Sequence, residues 1–234
     1  MATTKAQRYG ILTILIVTVV GTIGSFAVMI LTSKSSAENQ AKYQTAMNKY
    51  TEVQKEHQAK VQAQADELST KYYDTFNAYE SNLAKFDMDS VKDVSTEDLV
   101  AGDGEEITGT TPFAAYYIGW DANGRIFDQS VDTSAKKLKA PLYDNVGLDK
   151  GLDKASLIEG WKTGMKGMHI GGIRVITIPS DKAYGASGQT DSSGQQTIAP
   201  NMPLKFIVMA IPQPAAIPQP DTTKLLQEMQ EAQQ

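Results

Sequence analysis

The longest apolar run in the chain occupies residues 11–31, which carry no charged side chain. A helix of this length is about 31 Å long, close to the roughly 30 Å hydrocarbon thickness of a bilayer. Lys5 and Arg8 precede the run, and only Lys34 closely follows it. Positive residues favour the cytoplasmic side, so residues 1–10 are expected in the cytoplasm. The pattern predicts a single-pass anchor in the cell membrane, with the rest of the chain outside the cytoplasm.

A cleaved signal peptide is the alternative interpretation of the same segment. Positive residues precede the apolar run, and residues 35–37 are small, so cleavage near Ala37 would release a secreted protein. The hydrophobic part of a signal peptide is about 7–15 residues long. The longer run found here favours an uncleaved anchor.

Residues 32–90 have the composition of a long helical stalk. From residue 37 to residue 90 the chain is rich in Ala, Gln, Lys and Glu and contains no Pro or Gly. A sparse apolar seam indicates either a solvated spacer or a helix that dimerises or holds other polypeptides, and the oligomeric state stays open. The seam consists of Tyr43, Met47, Tyr50, His57, Val61 and Leu68.

The end of the predicted stalk carries a denser apolar stripe at helical spacing. Such a stripe predicts packing against a neighbouring helix or domain rather than a ligand site. The stripe consists of Tyr72, Tyr73, Phe76, Tyr79, Leu83 and Phe86.

The pattern changes to alternating strands and turns over residues 105–212. Strands are predicted at residues 112–120, 125–127, 173–178 and 204–209, and one short helix at residues 156–166. Ser156 followed by Glu159 reads as a capping box that starts this helix. These elements predict an α+β domain, an antiparallel sheet with a helix against one face.

Two segments flank the predicted domain. Residues 91–104 are acidic and contain glycine, which is typical of a linker. Residues 213–234 begin with a Pro-rich linker and can form a short helix. That helix either packs back on the stalk or is frayed.

Composition excludes several classes of function. The chain contains no cysteine and only two histidines, His57 and His169, so disulfides, thiolate metal sites, a cysteine nucleophile and a His-rich metal site are excluded. The net charge of −5, without a basic stripe, gives no support for nucleic-acid binding. Neither a metal nor a cofactor is expected.

The domain contains four blocks of short motifs in a fixed order. They are YIG at 117–119 with NGRIFDQS at 123–130, LIEGW at 157–161 with Gly164, Met168 and Gly171, IP at 178–179 with AYG at 183–185, and Ile198 with Pro200, Leu204 and Phe206. Together they resemble the motifs of the FKBP family of peptidyl-prolyl cis/trans isomerases. The resemblance spans residues 97–212 and implies an FKBP-like antiparallel sheet wrapped on a short helix.

The resemblance also implies a set of site residues. The implied catalytic residues are Tyr117, Phe127, Asp128, Trp161 and Tyr184. The implied substrate-binding residues are Leu142, Leu157, Ile158, Ile198 and Phe206. The resemblance implies that Trp161 forms the floor under the proline ring of the substrate. It also implies that Asp128 is a polar contact rather than a general base.

The chain departs from the family pattern around this pocket. Leu142 stands where many members have a phenylalanine, and the loops 129–140, 148–156 and 186–197 are longer than in minimal members. These departures leave the preference for the residue before proline, and the affinity for macrolide-type inhibitors, open.

The implied function is isomerisation of X–Pro bonds in proline-containing polypeptides, assisting folding outside the cytoplasm. Rotation about this bond breaks no covalent bond, so it needs an apolar pocket with a few fixed polar groups rather than a nucleophile. The alternative is a non-catalytic module that binds proline segments, or a holdase, on a membrane stalk.

Overall fold

The structure is a computed structural model that describes residues 37–233. Within this range no helix has both the length and the apolar character needed to cross a bilayer. The predicted anchor at residues 11–31 and the predicted cytoplasmic segment at residues 1–10 lie outside the described residues.

The described residues form two compact units, one of residues 60–217 and the other of residues 37–59 with residues 218–233. The α-helices are α1 (Ala37–Asn77), α2 (Glu159–Met165) and α3 (Thr223–Glu231). The strands are β1 (Ser95–Val100), β2 (Ala114–Asp121), β3 (Ile126–Gln129), β4 (Val131–Asp132), β5 (Lys137–Leu138), β6 (Ile173–Ile178), β7 (Gln189–Thr190), β8 (Gln196–Ile198) and β9 (Leu204–Ile211). Short 3₁₀ turns lie at Glu80–Asn82, Met88–Ser90, Asp144–Val146, Leu148–Lys150, Leu152–Lys154, Ser180–Lys182 and Gly185–Ser187.

The larger unit is built on a five-stranded antiparallel sheet with the order β1-β6-β9-β2-β3. The central pair, β9 with β2, runs in register from Leu204 opposite Asp121 to Ile211 opposite Ala114. Successive side chains of a strand point to opposite faces. Strand β9 is nevertheless buried along almost its whole length. Both faces of the sheet are therefore covered.

One face of the sheet packs against α2. Trp161 and Met165 of the helix share a hydrophobic core with Phe206, Val208 and other residues of this face. The predicted α+β architecture, an antiparallel sheet with a short helix against one face, is confirmed.

Two glycines allow the close approach of α2 to strand β6. A Cβ atom on Gly160 would lie 2.1 Å from Cγ2 of Ile178, and one on Gly164 would lie 2.4 Å from Cγ2 of Ile176. Either side chain would force the helix away from the sheet. The glycines therefore set the depth at which Trp161 sits.

The predicted start of the short helix is wrong. The helix begins at Glu159 after Ile158, which has extended backbone angles, and no side chain caps it. The Ser156 amide instead donates to the Val146 carbonyl at 2.8 Å. Residues 156–158 thus lie before the helix rather than in its first turn, which the capping-box pattern does not reveal.

The predicted linker at residues 91–104 contains a strand of the sheet. Strand β1 pairs with β6, with Ser95 opposite Thr177 and Val100 opposite Ile173. Its side chains are almost all exposed, so the sequence shows no apolar alternation. An edge strand held mainly by backbone hydrogen bonds gives no hydrophobic signal.

The second face of the sheet packs against the end of α1 and the segment after it. Helix α1 stops at Asn77, before the predicted end of the stalk at residue 90. Packing of the apolar stripe is confirmed, because Phe76 is fully buried and the other stripe residues border the same core. Beyond the helix, the indole Nε1 of Trp120 donates to the Ala84 carbonyl at 3.1 Å. The later part of the predicted stalk therefore belongs to the larger unit.

The smaller unit combines residues 37–59 with the C-terminal segment. Helix α3 buries Met229, while Ala46 of α1 and Ala232 after α3 are also buried. Residues of α1 and α3, including Thr45 and Glu228, line one shallow groove. Of the two alternatives for the tail, packing on the predicted stalk is the one observed.

A buried arginine ties β1 to the C-terminal end of α2. Arg174 of β6 is only 7 % exposed. Its Nη1 donates to the carbonyls of Gly164 at 2.9 Å and Lys166 at 3.2 Å, where a helix end leaves carbonyls unpaired. Nε and Nη2 donate to the two carboxylate oxygens of Asp98 at 2.5 and 3.0 Å. These bonds hold the pKa of Asp98 below its ordinary value of 3.8.

We expect Asp98→Asn to lower the free energy of unfolding at neutral pH by about 0.5–1 kcal/mol, since this half-exposed carboxylate is screened by water. A depressed carboxyl pKa stabilises the fold above the ordinary value, and this stabilisation is lost as the pH falls through the folded-state value. Urea denaturation from about pH 7 to about pH 2 should show the difference from wild type shrinking below about pH 4.

The neighbouring exposed Glu97 provides the matched control, because Glu97→Gln removes a carboxylate from the same strand. A difference between wild type and Asp98→Asn that stayed constant down to the lowest pH would contradict the ion pair as its source.

Candidate active site

Four aromatic side chains meet on the α2 face of the sheet. Trp161 lies on α2, and its ring centroid is 6.0 Å from that of Tyr117 and 5.9 Å from that of Phe206. Phe127 of β3 lies 5.5 Å from Phe206. All three of these pairs are edge-to-face, with interplanar angles of 85–86°. This geometry is the favoured one for aromatic pairs, and it makes a rigid apolar surface.

Two phenols and one carboxylate supply the polar groups. The Tyr117 hydroxyl donates to Oδ2 of Asp128, and Oδ1 of the same carboxylate accepts from the Gln129 amide at 2.8 Å. Burial and the nearby Asp128 charge raise the pKa of Tyr117 well above its usual value. The same two causes raise the pKa of Tyr184. Both phenols therefore keep their protons. The Tyr117 proton is already donated to Asp128, so of the two phenols Tyr184 can donate to a bound peptide.

The rim of this surface comes from irregular segments. Leu157 and Ile158 immediately precede α2, and the Ile158 amide donates to no group within residues 37–233. Leu142 is joined to β2 by two backbone hydrogen bonds with Ala115, at 2.9 and 3.0 Å. Ile198 ends β8 and is fully buried. A free amide beside an apolar surface can hold a carbonyl oxygen of a bound peptide.

The structure brings the ten predicted site residues together. Nine of them belong to or border one hydrophobic cluster, and Asp128 is joined to it through the Tyr117 hydroxyl. The nine are Tyr117, Phe127, Leu142, Leu157, Ile158, Trp161, Tyr184, Ile198 and Phe206. Their assigned roles in catalysis stay predictions.

Gly119 is a site residue whose role the motif alone does not explain. A Cβ atom at this position would lie 2.7 Å from ring carbons of both Phe127 and Phe206. Any side chain here would push these two rings apart. The glycine of the first motif is therefore required by the edge-to-face packing of the rings.

Arg125, which no sequence motif singles out, holds the β7–β8 hairpin. Arg125 donates from Nε to the buried carboxylate of Asp121 at 3.0 Å and from Nη2 to the Thr197 carbonyl at 2.6 Å. Thr197 precedes Ile198 of the rim. The spacing Asp121 to Arg125 across a turn was visible in the sequence, but the reach to residue 197 was not.

The side chains gathered at this site can enclose a bound peptide. Within residues 37–233 no group of His, Asp or Glu side chains is placed to hold a metal ion. The groups at hand are aromatic rings, phenol donors, a free amide and one carboxylate that already accepts two hydrogen bonds. Such groups can desolvate and orient a peptide without making a bond to it.

Comparison with known proteins identifies the family. Residues 104–211 match the family model described as FKBP-type peptidyl-prolyl cis-trans isomerase. The FK506-binding protein of Neisseria meningitidis serogroup B is 38 % identical over 92 residues, which cover 39 % of this chain and 74 % of that protein. The chain belongs to the FKBP-type peptidyl-prolyl cis-trans isomerase family.

Other known proteins are similar to part of this chain. FK506-binding protein 4 of Dictyostelium discoideum is 37 % identical over 112 residues, which cover 48 % of this chain and 26 % of that protein. Among solved structures, AtFKBP13 is 29 % identical with a TM-score of 0.42, covering 51 % of this chain and 92 % of that one. A peptidyl-prolyl cis-trans isomerase from Pseudomonas syringae is 25 % identical with a TM-score of 0.39, covering 61 % and 92 %.

The raised tyrosine pKa values predict activity that does not fall in mildly alkaline solution. A free tyrosine loses its proton near pH 10, and both site tyrosines lose theirs only above that value. We therefore expect kcat/KM for a proline peptide to stay level from about pH 7 to about pH 10. A peptide without titratable side chains should be used, with buffers of constant ionic strength.

Tyr184→Phe is the control for this profile, because it removes one of the two phenols. The contradicting result is a loss of activity between about pH 8 and about pH 10 in wild type that is absent in that variant. It would show that Tyr184 loses its proton in this range, contrary to its raised pKa.

Proposed function

We propose that this site accelerates rotation about X–Pro bonds by desolvating the amide and favouring its twisted form. The observation that carries the proposal is the edge-to-face set of four rings, with two protonated phenols and the free Ile158 amide at its border. These groups offer an apolar surface together with fixed hydrogen-bond donors, which a site for a prolyl peptide requires.

The chemistry of the amide explains why this environment suffices. Resonance gives the planar peptide bond its rotation barrier of about 18–20 kcal/mol. A planar amide is strongly polarised, whereas the amide twisted by about a quarter turn has lost resonance and much of its carbonyl polarity. An apolar surface disfavours the planar form relative to the twisted one. Binding that favours the transition state over the ground state accelerates the reaction.

Each group has a defined part in this proposal. Trp161 is the floor on which the proline ring lies, and Phe127 and Phe206 are its walls. The Ile158 amide and the Tyr184 hydroxyl donate to carbonyls of the bound peptide. Asp128 fixes the Tyr117 hydroxyl by accepting a hydrogen bond from it, so it acts as a polar contact and not as a base.

Location and ligands are further parts of the proposal. The uncharged run at residues 11–31, with positive residues before it, supports an anchor that leaves the isomerase unit outside the cytoplasm. Unfolded chains crossing the membrane would then be the clients. The names of the relatives describe FK506-binding proteins, which supports binding of a macrolide-type inhibitor at the same surface.

We expect Phe127→Ala to reduce kcat/KM for proline peptides by about tenfold or more, equivalent to about 1.4 kcal/mol of lost transition-state stabilisation. Phe127 is only partly buried, so its truncation should disturb folding less than truncation of the 2 % exposed Trp161. Trp161→Ala should abolish the acceleration. A coupled protease assay or exchange NMR on a short proline peptide measures both variants.

Tyr79→Ala provides a matched control, since Tyr79 is also a half-buried aromatic residue but borders the core on the other face of the sheet. It should retain wild-type kcat/KM. Binding of proline peptides by the wild-type chain without any acceleration would contradict the mechanism and favour the non-catalytic alternative.

The anchor can be tested by membrane fractionation of the full chain. We expect it to sediment with membranes, to resist extraction by alkaline carbonate and to be released by detergent, because a span of 21 uncharged residues is held by the hydrocarbon. A variant with Ile14→Arg and Val20→Arg should become extractable. Mass spectrometry showing an N-terminus near Ala37 in the mature protein would instead establish signal cleavage.

A further inference from the structure

The last turns of α1 pack on the sheet face that lies opposite the aromatic site. Phe76 is fully buried there, and the ring centroids of Tyr72 and Phe76 each lie 6.3 Å from that of Tyr116 of β2. Tyr116 is the neighbour along β2 of the site residue Tyr117. The helix thus covers the back of the strand that carries the site.

A buried hydroxyl on the same helix bonds to a second element. The Oγ of Ser69, a residue only 4 % exposed, accepts from the amide of Leu138 on β5 at 2.8 Å. Leu138 is itself buried, so loss of this hydroxyl would leave a buried donor without a partner, which is unfavourable. Nearby, the Lys137 ammonium bonds to Asp66 of α1 at 3.1 Å. These two contacts fix the β4–β5 hairpin to α1.

The hairpin is linked to the site by hydrogen bonds. The amide of Lys139, next to Leu138, donates to the Ser130 carbonyl at 2.8 Å. Ser130 in turn bonds to Tyr117 twice, by its amide to the Tyr117 carbonyl at 2.8 Å and by its Oγ from the Tyr117 amide at 3.0 Å. A continuous path of hydrogen bonds and one short stretch of backbone therefore joins Ser69 of α1 to Tyr117 of the site.

The same hairpin leads into the aliphatic wall of the site. Leu142 follows Leu138 after three residues, one of which is Pro141, whose ring restricts the backbone. Leu142 is then fixed to Ala115 of β2 by its two backbone hydrogen bonds. A shift of the hairpin at Leu138 can be absorbed only by this short segment or by Leu142 itself.

We propose that Ser69, supported by Asp66, is a positioning residue for the isomerase site, acting through the β4–β5 hairpin on Tyr117 and Leu142. The end of the long helix is then a working part of the isomerase unit and not a spacer outside it. This inference rests on the proposed function for its effect on turnover, although the displacement of Leu142 and Tyr117 can be measured without it.

The experiment compares Ser69→Ala with Thr70→Ala in the full chain. Thr70 is the exposed neighbour on α1, and its hydroxyl bonds to the Asp66 carbonyl of the same helix. We expect Ser69→Ala to lower kcat/KM for proline peptides about threefold to tenfold, measured well below its unfolding temperature, and Thr70→Ala to leave it unchanged. Asp66→Asn should give a smaller loss of kcat/KM than Ser69→Ala. Its control is Asp74→Asn, at an exposed position of the same helix.

Amide NMR provides the readout that does not depend on turnover. In Ser69→Ala the hydrogen exchange of the Leu138 amide should accelerate, and the amide shifts of Tyr117, Ser130 and Leu142 should move, while Thr70→Ala should change none of them. If Ser69→Ala does not fold, the amide shifts of Tyr117, Ser130 and Leu142 are measured in Asp66→Asn instead. Movement of these shifts supports the positioning role, and unchanged shifts contradict it.

The outcomes separate the two proposals. A wild-type chain without activity would overturn the proposed function, while the NMR shifts would still decide whether Ser69 positions Tyr117 and Leu142. A Ser69→Ala variant that is less stable but has wild-type kcat/KM and unchanged shifts at Tyr117 and Leu142 would overturn the positioning role.

Discussion

Burial of the central strands on both faces is the constraint on which the rest of the larger unit depends. Phe206, Val208 and Ala210 of β9 point into the core shared with α2, and Ile207, Met209 and Ile211 point into the core shared with α1. Burying one large apolar side chain contributes about 1.5–3 kcal/mol. A sheet with only one face covered would leave the second set in water. The apolar residues of β9 therefore require an element that packs on the second face of the sheet, and the end of α1 is that element.

This constraint also arranges the site. Because side chains alternate along a strand, Tyr117 of β2 and Phe206 of β9 lie on the α2 face, where the register puts Gly119 opposite Phe206. The glycine leaves the space that the rings need for edge-to-face contact. Three of the four rings are thus held by regular strands and the fourth, Trp161, by α2. The rim residues Leu142 and Ile198 depend instead on hairpins, which are held by contacts with other elements.

The central strands and the ring residues could be predicted from the sequence. Features that depend on contacts between distant residues could not. The strands β2, β6 and β9 and the ring residues were predictable, because apolar runs and local motifs encode them. Strand β1 was not, since an exposed edge strand is held by backbone bonds and by the Asp98–Arg174 pair. The start of α2 was misplaced because Ser156 bonds to Val146, which lies in an earlier turn of the chain. The hydrogen bond between Ser69 and Leu138, which lie 69 residues apart, is not indicated by any local sequence pattern.

The end of α1 supplies both the packing behind the central strands and the contacts that hold the β4–β5 hairpin. Its last turns are buried in the core behind Tyr117, where Phe76 is fully buried. Loss of packing at Phe76 would expose the apolar face of β9 and free the β4–β5 hairpin together, so the stability of the sheet and the placement of Leu142 are coupled through one helix.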